Sequence, residues 1–72
     1  MKNNEIELLQ ILAAKIKEYR IKKNMTQEQL ADACGFDRTY ISMLERAKRN
    51  PSYLNLYKIC KGLEINIKEI VS

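Results

Sequence analysis

The sequence predicts an all-α domain of five helices, on three observations. Apolar residues recur at spacings of three and four; Thr26, Asp37, Ser52 and Asn66 stand as caps before those runs; and Asn24, Gly35 and Asn50-Pro51 stand where runs end. The one short alternation, Ile65-Asn66-Ile67, reads as a loop that anchors two isoleucines. A chain of 72 residues makes one domain, because a second core would leave neither half enough apolar surface to offset chain entropy. A core of this size supplies only ~3–5 kcal/mol, so metal, disulfide or oligomerisation is the expected supplement.

The first helix is predicted over residues 5–23, capped by Asn3 or Asn4, with acids in its first turn, bases in its last and Asn24 closing it. The second starts from Thr26 as N-cap, with Gln29 in capping-box position, and ends at Cys34 because Gly35 supplies the stop. The third follows Asp37, carries Ile41, Leu44 and the aliphatic part of Arg46 or Lys48 on its inner face, and ends near Ala47. Ser52 caps the fourth, whose apolar residues Tyr53, Leu56, Ile59, Cys60 and Leu63 keep a 3.6-residue period. Asn66 caps a last short helix over residues 67–71.

Metal is not the expected supplement: two cysteines and no histidine make no zinc spacing. Cys34 and Cys60 fall where helices want small apolar residues, so they read as buried free thiols rather than a disulfide, in keeping with a reducing cytoplasm. Without histidine the commonest general base is missing, and no serine or cysteine has an activating partner nearby in sequence, so no enzyme and no cofactor are expected. Residues 6–14 are locally apolar but too short to span a bilayer, and no signal-peptide pattern appears.

The net charge of +4 is uneven: residues 15–61 hold eleven Lys and Arg against five Asp and Glu, while the two ends sum to −2. A basic middle with a pI near 9.2 favours a polyanionic partner over a merely solvated surface. The same region holds two helices joined by a tight corner, residues 26–47. Gly35 frees the corner to take positive φ, Ala31 lets the helices cross closely, and Leu30, Ile41 and Leu44 close the wedge. Several spacings matching together make this the helix-turn-helix pattern, which serves either to read DNA or simply to hold a core. The outward residues of its second helix favour the first use: Arg38, Thr39, Ser42 and Met43 project away from Ile41 and Leu44, near the helix N-terminus that enters the major groove in this motif.

Through MTQEQLADACGFDRTYISMLERAKRNPS followed by LYKICKGLEI, nearly the whole chain resembles the lambda-repressor-like, xenobiotic-response-element helix-turn-helix regulators. Within them, DRTYIS, ERAKRN and KGLEI look like the controller proteins of type II restriction-modification systems. The resemblance implies that Arg38 and Thr39 read bases, an arginine by two donors to guanine and a threonine methyl against thymine. Ser42 and Met43 would face the groove further along, Met43 either meeting a thymine methyl or acting as a spacer. On the DNA backbone it places Gln27, which also braces the recognition helix, and Thr26. Tyr40 would reach a phosphate with its hydroxyl or pack its ring on sugar, its exposure being expected. Arg46, Lys48, Arg49 and Asn50 would form a loop along the phosphates, setting affinity and salt dependence rather than sequence choice. Arg20 and Glu45 match a structural pair tying the first helix to the end of the third.

Two departures stand out. Glycine is usual in the family at Ala47 and frequent at Glu64; alanine in a left-handed conformation costs roughly 1 kcal/mol, which predicts a third helix that runs longer. Gly62, inside the fourth helix, is expected to serve close packing. Apolar residues also wrap more than half the first helix, more than one domain can bury. Ile6 and Leu9 at its start, with Ile65, Ile67, Ile70 and Val71 in residues 65–72, are therefore expected to form a twofold homodimer interface.

The functional expectation is a homodimeric transcription regulator, cytoplasmic and nucleoid-associated in a bacterium, binding double-stranded DNA at a palindromic operator with half-sites about one helical turn apart, and acting on its own promoter. No membrane and no small-molecule ligand are expected. The competing reading is an antitoxin or adaptor whose main partner is a protein, although the tail such an antitoxin would use to hold its toxin is not found.

Overall fold

The computed structural model describes residues 3–71. Five helices follow in order, α1 (Asn3–Lys22), α2 (Gln27–Cys34), α3 (Arg38–Glu45), α4 (Tyr53–Gly62) and α5 (Lys68–Val71), and no strand occurs among the described residues. The all-α expectation holds. α2 lies against both α3 and α4, while α1 meets α3 on one side and α5 on the other. Ile16, Leu30, Ile41, Ile59 and Leu63 are each fully buried where these helices converge, and Ala31, Leu44, Leu56, Cys60 and Ile70 join them in the core.

Caps explain most of the boundaries. Thr26 Oγ1 accepts from the Gln29 amide at 3.0 Å and the Gln29 side chain accepts from the Thr26 amide at 2.8 Å, the reciprocal box expected from the sequence. Ser52 accepts from the Asn55 amide at 3.1 Å, and Asn66 from the Lys68 amide at 3.0 Å. Asp37 has the extended N-cap backbone but makes no side-chain capping bond. α1 already includes Asn3 and Asn4, so its cap position falls outside the described residues.

Four helices end in the same way. At Asn24, Gly35, Ala47 and Glu64 the chain turns left-handed, and two backbone bonds close the last turn behind each. For α3 these run from the Lys48 amide to the Met43 carbonyl at 2.8 Å and from the Ala47 amide to the Leu44 carbonyl at 3.1 Å. The longer third helix expected from the missing glycine is thus corrected: Ala47 takes φ 58° and α3 stops at Glu45. Two satisfied carbonyls and the packing of Leu44 outweigh a cost of about 1 kcal/mol at one alanine. Arg46 and Lys48 consequently lie beyond the helix and exposed, not on its inner face.

Gly62 is where α4 meets α2. A β-carbon there would come within 2.6 Å of the Cys34 sulfur, so the glycine is needed for the approach. The contact lies along the C-terminal half of α4, which leaves the first turn outside: Tyr53, expected inward, is 71% exposed. The inward face begins at Leu56.

Both cysteines are free thiols. Burial pushes Cys34 up to about 11, with the neighbouring Cys60 sulfur adding to the rise, and burial raises Cys60 as well.

The apolar surplus of α1 is visible as Ile6, Leu8 and Ile11, all exposed, with Val71 of α5 likewise open. Leu8, Ile11, Lys15, Leu56 and Val71 border one shallow groove between the two helices, and the Lys15 ammonium donates to the Ile70 carbonyl at 3.4 Å across it. Leu9 is half-buried beside Glu5 and Asn50. Ile70 needs a correction as an interface residue: it is 3% exposed, spent in the domain's own core, and Ile65 and Ile67 pack half-buried against that core. Residue 72 of the expected interface lies outside the described residues.

Candidate nucleic-acid interface

α2, the Gly35 corner and α3 form a rigid wedge. Gly35 takes φ 77°, Leu30 and Ala31 of α2 face Ile41 and Leu44 of α3 within the core, and this orientation turns the opposite side of α3 outward. Arg38 and Thr39 are exposed on that side at the helix start, Ser42 and Met43 half-buried further along. The arrangement gives an eight-residue helix whose accessible edge carries, in order, a guanidinium, a hydroxyl with a methyl, a second hydroxyl and a thioether.

A buried ionic hub holds the far end of α3. Arg20 of α1 donates from Nε to Glu45 Oε2 at 2.6 Å and from a terminal nitrogen to Glu45 Oε1 at 3.0 Å, with its other terminal nitrogen on the Met25 carbonyl at 2.8 Å. The side chains are 12% and 2% exposed, so the pair is desolvated and two-pronged rather than a surface contact. Hydrogen bonding to Glu45 raises the Arg20 pKa further, against the opposing effect of burial. The Gln27 amide donates to the same Glu45 Oε1 at 3.2 Å. An amide nitrogen carries two hydrogens, so Gln27 can brace α3 with one and offer the other outward. Thr26 sits beside it, exposed at the start of α2.

Tyr40 departs from expectation. Its ring is half-buried, packed at 4.9 Å and a 58° tilt against Phe36, with the Arg49 guanidinium over it at 5.2 Å from its centroid. The Tyr40 hydroxyl accepts from the Asn55 side-chain amide of α4 at 3.1 Å. A planar ring wedged between the corner and α4 buries more apolar area than a free one, which is why it is not exposed. Lys58 stands 5.9 Å over the Phe36 ring, so the aromatic pair has a cation at each end.

The loop after α3 is basic and open. Lys48, Arg49 and Asn50 are exposed, as is Arg46, which folds its Nε back onto the Ser42 carbonyl at 3.3 Å. Arg49 stands by Tyr40, whereas Asn50 lies toward α1, lining a groove with Glu5, Leu8, Leu9 and Leu12. Thr26, Gln27 and the loop therefore flank α3, which carries Tyr40 on the side toward α4 and Arg38, Thr39, Ser42 and Met43 along its accessible edge. Sequence reasoning missed Phe36, Asn55 and Lys58. Asn55 is the third residue of α4, and nothing in its local pattern announces a bond to a residue fifteen positions earlier.

The helix-turn-helix family profile matches residues 16–70. The chain belongs to the helix-turn-helix family. Among its relatives, this helix-turn-helix protein is 44% identical over 69 residues to control protein C.BamHI of Bacillus amyloliquefaciens, covering 94% of this chain and 83% of that one. The crystal structure of the restriction-modification controller protein C.AhdI from Aeromonas hydrophila superposes with a TM-score of 0.84 at 35% identity, over 86% of this chain and 94% of that one. The controller protein C.Esp1396I, solved as a tetramer in complex with its natural 35 base-pair operator, matches with a TM-score of 0.80 at 44% identity, over 90% of this chain and 96% of that one. In this helix-turn-helix protein Ala47 takes a left-handed φ of 58° within a fold that superposes on both of those structures.

Proposed function

We propose that the protein is a dimeric, sequence-specific DNA-binding transcription regulator, a controller protein of a restriction-modification system acting on its own promoter. The observation that carries the reading is the accessible edge of α3, with Arg38 and Thr39 exposed at its first turn, on a fold shared with a controller solved on its operator. Arg38 bonds guanine in the major groove, Thr39 packs its methyl on thymine, and Ser42 and Met43 follow the groove. Thr26, Gln27, Tyr40, Arg46, Lys48, Arg49 and Asn50 hold phosphates to either side and fix the register of α3.

Two copies joined through the start of α1 and the end of α5 put two recognition helices on one face of the duplex, which matches a palindromic site. The regulator works in the cytoplasm at the nucleoid, as its ligand requires.

The test is a footprint on the DNA upstream of the gene with two variants. Arg38→Ala loses about 1–3 kcal/mol of discrimination at one base pair per half-site, and Arg49→Ala weakens all sequences alike while flattening the salt slope. Equal effects of both variants on cognate and random DNA would refute this division of roles. Methyltransferase and endonuclease genes beside it support the controller assignment; a toxin gene there points instead to an antitoxin.

A further inference from the structure

We infer that Asn55 of α4 is a positioning residue for DNA binding: it orients the Tyr40 hydroxyl so that the phenol proton points out of the protein toward a backbone phosphate. The inference rests on the reading of Tyr40 as a backbone contact and adds the residue that makes it one.

The geometry is a chain of contacts between elements far apart in sequence. The Asn55 amide nitrogen donates to the Tyr40 oxygen at 3.1 Å. A phenol hydrogen lies near the ring plane and can take one of two in-plane directions, so an external donor in one of them leaves the hydrogen the other. The ring cannot turn away from that choice, since Phe36 packs on it at 4.9 Å and the Arg49 guanidinium covers it at 5.2 Å. Asn55 itself is held at the start of α4, its backbone amide bonded to the Ser52 cap at 3.1 Å. An oxygen that accepts a hydrogen bond is also the stronger donor, because the two bonds polarise each other. Arg49 brings its charge to the same place as the directed hydroxyl, so the two address one stretch of phosphate. α4, which carries no residue assigned to DNA, thereby sets the chemistry of a backbone-contacting residue on α3.

The probe is a mixed-sequence duplex of about 25 base pairs at low salt, since a phosphate contact acts on any sequence. By anisotropy, Tyr40→Phe and Asn55→Ala each weaken binding by about three- to tenfold, and the double variant binds no worse than Tyr40→Phe alone. Asn55→Asp separates orientation from bracing. It keeps the inter-helix bond but reverses it, drawing the phenol proton inward, so its loss of affinity is greater in the Tyr40 protein than in the Tyr40→Phe background, where only the added charge acts. Thermal midpoints measured without DNA report the bracing separately, and Asn55→Asp should melt close to the parent.

Additive losses for Tyr40→Phe and Asn55→Ala, or equal losses for Asn55→Asp in both backgrounds, overturn the proposal. If Tyr40→Phe binds normally while Arg49→Ala does not, the loop reading stands and the proposal fails. If Lys48→Ala, Arg49→Ala and Tyr40→Phe all bind normally, the backbone reading itself has failed, and the proposal with it.

Discussion

The Glu45 carboxylate accepts from Arg20 twice and from Gln27 once while only 2% exposed. Removing Arg20 strands a buried carboxylate, so Arg20→Met should cost about 3–5 kcal/mol in chemical denaturation. The cost should exceed that of an exposed pair such as Lys22 with Glu18, worth about 0.5 kcal/mol at most. Cys34 makes a second prediction. Its folded pKa of about 11 stands above the ordinary thiol value of 9.0, so the fold favours the protonated form. That contribution is complete below about pH 9 and is lost as pH rises through about 11, so the stability difference between the parent and Cys34→Ala should be level at neutral pH and shrink across this window. A difference that grew there would contradict a neutral thiol at Cys34, which is half-buried rather than fully buried as the sequence led one to expect. At pH 7 the same thiol should react slowly with alkylating reagents.

At the scale of elements, the helix ends show what the sequence discloses and what it conceals. The boundaries at Thr26, Gly35 and Ser52 were legible because one local signal, a cap or a glycine, decides each. Ala47 was not, because its left-handed turn is imposed by Leu44 in the core and by two carbonyls seeking donors, forces from outside its own propensity. Tyr53 and Tyr40 misled in opposite directions for a related reason: helical period tells which residues share a face but not where along that face a neighbour arrives. The site followed the same rule. Of the proposed site, the exposure of Arg38, Thr39 and the basic loop was readable from one stretch of chain, and the contact of Asn55 was not, since its partner lies on another helix.

Two measurements belong here. Ala47→Gly and Glu64→Gly should each stabilise the fold by about 1 kcal/mol, seen as a higher midpoint in thermal unfolding. Gly62→Ala should destabilise by about 1–2 kcal/mol through its clash with Cys34, and in a Cys34→Ala background the loss should shrink or vanish, as the 2.6 Å contact is gone.

For the molecule as a whole, the apolar patch of Ile6, Leu8, Ile11 and Val71 is the counterpart of a core too small to be generous. Leu8→Glu with Ile11→Glu alters exposed side chains only, so each chain should stay helical while sedimentation shifts toward monomer and DNA affinity falls with it. An unchanged sedimentation coefficient at micromolar concentration would remove α1 from the interface.

The carboxylate that α3 shares with α1 and α2 bears on timing as well as strength. Fraying the last turn of α3 would break all three of these hydrogen bonds and leave the Arg20 guanidinium inside the protein without its carboxylate, which raises the cost of opening that end toward the cost of unfolding the domain. Amide hydrogens near Leu44 and Glu45 should therefore exchange close to the global rate, and the edge of α3 proposed to read bases is already ordered before contact, with little left to freeze.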